Sequence, residues 1–158
     1  MNTDNIKSNF QFIGNSITSL NIHNDFVALP ESDVSKRVDV SYDIQNAGED
    51  EDGIWGMVNL YVDCSLVAES EDETDKPKAY SVRLVLNGCF TDNKDVPFEE
   101  FEKMLKINGC AALYSVARSI IISISAQSVV SGSIVLPMIN VFKLHKKDAG
   151  NKQKQLEI

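Results

Sequence analysis

The feature that most constrains this chain is the stretch from about Pro97 to Ser128, which is nearly free of charge after its first turns. Asp95-Val96-Pro97-Phe98-Glu99-Glu100 reads as a helix start, with Asp95 as candidate cap, an early proline and acids in the first turn. Phe98, Phe101, Leu105, Gly109, Ala112, Val116 and Ile120 then recur at three- and four-residue spacing, which marks one helical face. A second stripe, Ile107, Cys110, Tyr114, Ala117 and Ile121, falls on roughly the opposite face. From Ile107 to Ser128 the only charged side chain is Arg118. About thirty residues at about 1.5 Å each make a helix on the order of 45 Å long. Ile120-Ile121-Ile122 is β-branched and Gly132 is the first strong stop signal, so the helix end is left open.

A helix apolar all round has to be covered all round. One sheet covers one face, and three candidates compete for the other. A bilayer is one, but Arg118 near the middle would cost roughly 2.5–3.5 kcal/mol there, so no membrane insertion is expected. A C-terminal segment folded back is another, but the chain past Phe142 turns quickly to Lys143, His145, Lys146 and Lys147. A second copy of the same helix is the expected answer, because small residues let two backbones approach. Gly109, Cys110, Ala112, Leu113, Val116, Ala117 and Ile120 are the candidate interface residues. Arg118 reads as structural, an ion pair or a clamp on carbonyls, because a desolvated guanidinium needs several acceptors.

Ahead of the helix, segments alternate with period two. Val38, Val40, Tyr42 and Ile44 oppose Asp39, Ser41 and Asp43. Val58, Leu60, Val62, Cys64 and Leu66 oppose Asn59, Tyr61, Asp63 and Ser65, and Tyr80, Val82, Leu84 and Leu86 oppose Ser81, Arg83 and Asn87. This pattern predicts antiparallel strands packed on one face and wet on the other. A first strand, Phe10 to Ile22, has mixed parity: Ile13 and Ile17 break the row of Phe10, Phe12, Leu20 and Ile22, which predicts a bulge near Gly14-Asn15. The segment from Asn24 to Glu31 is too long for a tight hairpin and reads as a crossover. The acidic runs Glu49–Asp52 and Glu69–Asp75 fit hairpin tips. The fold class is α+β: a four-stranded antiparallel sheet with a crossover after the first strand, then one long helix and a short C-terminal segment.

Several function classes are excluded by composition. The 158-residue chain has a net charge of -8, which repels phosphate backbones, so no nucleic acid partner is expected. Cys64, Cys89 and Cys110 follow no zinc or thioredoxin spacing and read as reduced, buried thiols of a cytoplasmic protein. His23 and His145 lie far apart with no catalytic or metal constellation around either, so no metal, no cofactor and no enzyme activity are expected. The first residues, Met1-Asn2-Thr3-Asp4-Asn5, lack the basic-then-apolar order of a signal peptide, which predicts that the mature chain starts here.

The helix segment Cys110-Ala111-Ala112-Leu113-Tyr114-Ser115-Val116-Ala117-Arg118-Ser119 resembles the long helix of the SecB protein-export chaperones, where an Ala-Arg step follows a cysteine at this spacing. Gly132 and Leu136-Pro137-Met138-Ile139-Asn140-Val141 are similar to that family's loop after the helix, and Tyr80 to Phe90 is similar to its last strand. The likeness spans about Phe10 to Val141. It implies a flexible N-terminus over 1–9, one domain over 10–144 and a flexible tail over 145–158. It also implies a homotetramer, a dimer of dimers with the long helices between sheets, that holds non-native polypeptide in apolar grooves without ATP or cofactor. The groove positions correspond to Phe26, Leu29, Val34, Leu136, Met138, Ile139 and Phe142, and Gly132, Pro137 and Asn140 would shape the loop.

Two departures narrow the resemblance. Where the family presents carboxylates to the SecA motor this chain has Ser19, His23 and Arg83, which puts SecA docking in doubt. The apolar terminal helix is replaced by Lys143 to Gly150, so the lid over the groove is shortened or missing. Both departures suit a dedicated client, such as the antitoxin of a toxin–antitoxin pair, as well as they suit export. The competing classes are a hot-dog-type acyl-thioester enzyme, whose main helix precedes most of its strands, and a structural oligomer without client.

Overall fold

Alternating apolar and polar residues build four strands, which the computed structural model pairs into one antiparallel sheet of order β1-β4-β3-β2. Residues 8–25, 34–68, 78–129 and 133–146 are described. The strands are β1 (Gln11–Asn24), β2 (Val34–Glu49), β3 (Ile54–Ala68) and β4 (Lys78–Asp92). Consecutive strands β2, β3 and β4 form a meander, while β1 pairs with β4. The chain therefore crosses from one sheet edge to the other between β1 and β2, as the long connection implied.

In the meander the sequence parity translates directly into faces. Leu60 stands opposite Leu86, Val62 opposite Leu84, Cys64 opposite Val82, and Tyr42 opposite Leu60. These inner-face residues are all buried. Each removes apolar surface from water, worth about 1.5–3 kcal/mol per large side chain. On the outer face, Asn87 Nδ2 donates to Asn59 Oδ1 at 2.8 Å and Asn59 Nδ2 to Gln45 Oε1 at 3.1 Å, so the amides satisfy one another across three strands. The turn between β2 and β3 is the exposed acidic run. Asp50 Oδ1 accepts from the Asp52 and Gly53 amides at 2.9 and 3.1 Å, and Asp50 N donates to Gly53 O at 2.9 Å. The second acidic run, Glu69–Asp75, lies outside the described residues.

Strand β1 departs from simple alternation twice. Its register against β4 shifts between Phe12 and Gly14 and again between Ile17 and Ser19, leaving Ile13 and Thr18 without strand partners in register. One bulge was expected near Gly14-Asn15; a second was not. Each extra residue flips the parity, and together they restore it. Phe12, Ile17, Leu20 and Ile22 consequently lie opposite Phe90, Leu86, Leu84 and Val82, on the same inner face.

The long helix runs over Phe98–Ser128. It comprises α1 (Phe98–Met104), a π-helical turn (Leu105–Gly109) and α2 (Cys110–Ser128). Asp95 does not cap it: the first turn hangs on the Pro97 carbonyl, which accepts from the Glu100 and Phe101 amides at 3.0 Å. The π-turn corrects the expected stripe. Phe101, Leu105 and Gly109 are buried, and the extra residue then rotates the helix so that Leu113, Ala117 and Ile121 follow in place of Ala112, Val116 and Ile120. Those three flank the contact half-buried, and Phe98 is exposed. The helix lies directly on two sheet glycines. A Cβ on Gly56 would stand 2.5 Å from Leu105 Cδ1, and one on Gly88 2.6 Å from Leu113 Cδ2.

Four expected interface residues thus belong to the subunit's own core. Gly109, Cys110, Leu113 and Ala117 are buried against the sheet and offer no surface to a second copy. The helix is not apolar all round either. Its outward line is Ala111, Ser115, Ser119 and Ser123, all exposed. Past Ser128 the chain turns back at extended Val129, and residues 133–146 pack against the helix and β2, ending in a short helix, α3 (141–146). The folded-back segment set aside on charge grounds does cover part of the helix, because its apolar half, Ile134 and Leu136, precedes the lysines.

Candidate functional site

The returning segment is fastened by side chains distributed over the whole molecule. The Ile134 amide donates to buried Ser125 Oγ at 2.7 Å. Arg118 Nε donates to Leu136 O at 3.1 Å, and its Nη1 stands 3.0 Å from Met138 Sδ. Tyr114 OH donates to Pro137 O at 2.7 Å. Burial pushes that phenol above its ordinary value, with Cys64 adding to the rise and Arg118 opposing it, so it stays protonated as a donor. On the β2 side, Lys36 Nζ donates to Val135 O at 2.6 Å and Tyr42 OH shares a 2.7 Å hydrogen bond with His145 Nδ1. Asn140 opens α3: its side-chain Oδ1 accepts from the Lys143 amide at 3.1 Å and its carbonyl from Leu144 at 3.0 Å.

This strap has a buried underside and an apolar upper side. Leu136 and Ile134 are buried, yet Val135, Met138 and Phe142 are 48%, 80% and 62% exposed. Between the strap and β2 runs an open groove of about 320 Å³, with Val38, Val40, Pro137, Ile139 and Leu144 as its apolar lining and Asp39, Asn140 and Lys143 as its polar lining. Exposed methionine and phenylalanine beside an apolar groove make a surface that adapts to varied shapes.

Among the described residues, the opposite flank has no such cover. Phe12, Ile17, Leu20 and Ile22 face the helix side of the sheet but stay 40–48% exposed, because α2 lies mainly over β4 and β3. Ile13, in the first bulge, is 62% exposed. Beside this row lies the outward line of the helix. Ser115, Ser119 and Ser123 turn their hydroxyls back onto the carbonyls of Ala111, Ser115 and Ser119 at 3.0, 3.4 and 2.9 Å. Serines so engaged present little more than small, smooth bulk. β1 is pinned at both ends, by Phe10 and Phe12 stacked on Phe90 with centroids 5.4 and 5.0 Å away, and by Asn24 Nδ2 donating to Ser128 O at 2.7 Å.

Of the groove residues expected from sequence, the strap gathers Met138, Ile139 and Phe142 at one surface, whereas Leu136 is its buried anchor. Val34 opens β2 half-buried, and Phe26, Leu29 and Gly132 lie outside the described residues. Arg118, Pro137 and Asn140 hold the strap by the contacts above. Ser19, His23 and Arg83 sit on the outer face, with Arg83 Nε 2.8 Å from Asp63 and His23 2.8 Å from Asp25. Lys36, Tyr42, Ser125 and His145 carry strap contacts that sequence reasoning missed. Their partners lie from 9 to 103 residues away, and no local pattern marks them. None of the three cysteines is in a disulfide; Cys64 and Cys110 are buried as expected and Cys89 is half-buried.

No family model and no curated protein sequence matches this chain. Among solved structures, the SecB-like chaperone Rv1957 of Mycobacterium tuberculosis, in complex with a ChAD peptide from the Rv1956 HigA1 antitoxin, is similar. It aligns with TM-score 0.65 over 83% of this chain and 91% of that one, at 10% identity. A protein of unknown function from Streptococcus agalactiae aligns more weakly, with TM-score 0.40 at 8% identity, covering 82% of this chain and 97% of that one. The four-stranded antiparallel sheet followed by one long helix is the SecB-like fold.

Proposed function

We propose that this protein is an ATP-independent chaperone that holds unfolded polypeptide in apolar grooves. The observation that carries the reading is the strap: it is anchored from beneath by buried Leu136 yet displays Met138 and Phe142 to solvent beside an apolar groove. A loop serving only to cap a core would turn such side chains inward, because exposed clustered apolar surface is a liability unless something binds it. The uncovered β1 flank and the smooth helix face beside it support assembly through copies of the same chain, a homotetramer built as a dimer of dimers. Cys64, Cys89 and Cys110, none of them in a disulfide, suit a reducing cytoplasm.

A dedicated client is the second reading. The Mycobacterium tuberculosis neighbour was solved with an antitoxin peptide, and in this reading the groove between the strap and β2 takes one extended segment of an antitoxin. Export through SecA draws no support from Ser19, His23 and Arg83. The test is aggregation of a chemically unfolded client followed by light scattering, without ATP. Suppression at near-stoichiometric ratio is expected, and an inert assembly would contradict the reading. Tight binding of one antitoxin segment with no protection of unrelated clients would favour the dedicated role.

A further inference from the structure

We propose that Met138 is a modification site, a thioether that peroxides convert to the sulfoxide beside Arg118, and that the conversion turns client holding down. The oxidation stands on the geometry alone, and its effect on clients rests on the reading of the strap given above. Met57 and Met104 are half-buried, whereas Met138 is 80% exposed. Arg118 Nη1 stands 3.0 Å from Met138 Sδ, while Arg118 Nε is occupied by Leu136 O at 3.1 Å. The thioether has two lone pairs, so Nη1 leaves one for attack on the outer oxygen of a peroxide. The S–O bond forms as the O–O bond breaks, and sulfur loses the two electrons that the peroxide gains. The proton of the attacked oxygen passes to the leaving oxygen, which departs as water or an alcohol. Negative charge builds on that leaving oxygen, and a guanidinium beside the sulfur stabilises it in the transition state. In the product, the sulfoxide oxygen accepts a charge-assisted hydrogen bond from the same guanidinium. The strap therefore stays fastened while its most exposed apolar side chain becomes polar, a change that weakens adaptable apolar contacts.

The test treats the full-length protein with hydrogen peroxide, quenches it, reduces it with dithiothreitol and maps the products by peptide mass spectrometry. Met138 is expected to convert about three- to tenfold faster than Met57 and Met104. Suppression of client aggregation falls by about two- to fivefold in step with Met138 sulfoxide. Dithiothreitol alone, which reverses disulfides and sulfenic acids, does not restore it, whereas dithiothreitol with methionine sulfoxide reductases does. Arg118→Gln, with Arg118→Lys as the milder variant, slows Met138 about two- to fivefold relative to Met104 in the same sample. A merely structural Arg118 would leave that rate equal, or raise it as the strap loosens. Met138 converting no faster than Met57 and Met104, or unslowed by both Arg118 variants, would overturn the modification site. Full conversion of Met138 with undiminished holding would overturn the switch and leave polypeptide holding intact. Untreated protein that protects no client would overturn the holding reading and with it the switch, while the conversion rates decide the modification site separately.

Discussion

The two edges of the sheet carry similar apolar residues and meet different fates. Along β2, Tyr42 is buried and Val38, Val40 and Ile44 pack half-buried against the core, because the chain returns over them through the strap. Along β1, Phe12, Ile17, Leu20 and Ile22 point to the same layer and are left 40–48% exposed. A chain that closes one flank with its own C-terminal segment has none left among the described residues for the other. The difference separates two surfaces: the self-covered edge carries a groove lined by its own cover, and the other edge keeps an apolar row 40–48% exposed, the flank proposed above to meet a second copy.

Several substitutions can break or sharpen that contrast. Leu136→Ala, under the strap, is expected to cost about 2–5 kcal/mol of folding stability. Ile22→Ala on the open flank should cost under about 0.5 kcal/mol at dilutions where the subunit is alone. Urea unfolding of both variants measures the gap; similar losses would mean the two flanks are equally packed. The closed flank should also weaken in alkali. Cys64, opposite Val38 of β2, has its thiol pushed from 9.0 up to about 11, chiefly by burial. Its folded value lies above its unfolded one, so its stabilisation is complete below pH 9 and is lost as pH rises through about 11. That loss is on the order of 2 kcal/mol. Burial also raises Tyr114, and a hydrogen bond to Asp43 foremost raises Tyr61, both adding alkaline loss in the same direction. Cys64→Ala should flatten the stability–pH slope between pH 9 and 11; an unchanged slope would remove the thiol from the account.

Smaller effects test the strap's fastening. Tyr114→Phe removes the donor to Pro137 O and should cost about 0.5–1.5 kcal/mol. It should also speed amide exchange in 133–146 without altering exchange in β1. Ser119→Ala, on the outward helix line, should change subunit stability by less than about 0.5 kcal/mol, because its hydroxyl bonds only to its own helix.

What the residues disclosed in advance, and what they hid, follows from the same geometry. Through the middle of β2, β3 and β4 the faces were legible, because period-two alternation survives where the ladder runs uninterrupted. The register shift at Leu66/Val67, however, put Val67 in the core with Leu66 half-buried. In β1 two bulges each reversed the parity, and Ile17 looked misplaced although it shares a face with Leu20. The helix was legible as an element, and Cys110, Tyr114, Ala117 and Ile121 of its second stripe do form the buried face of α2, but the first stripe does not continue as core past Gly109. One π-turn at Leu105–Gly109 shifts every later position by a residue, turning Leu113 and Ala117 into core and Ala112 and Val116 into flank. Arg118's need for acceptors could be read from chemistry alone, but the Leu136 carbonyl that meets it could not, since 18 residues separate them.

The central claim is that the β1 flank is completed by another copy of the chain, and the most direct measurement is the mass of the full chain in solution. Sedimentation equilibrium should give four times the 17.5 kDa of the single chain. Ile17→Asp, which would bury an unpaired carboxylate in that contact, should lower the mass while leaving the far-ultraviolet circular dichroism unchanged. A wild-type protein sedimenting at 17.5 kDa, or an Ile17→Asp variant of undiminished mass, would contradict the account.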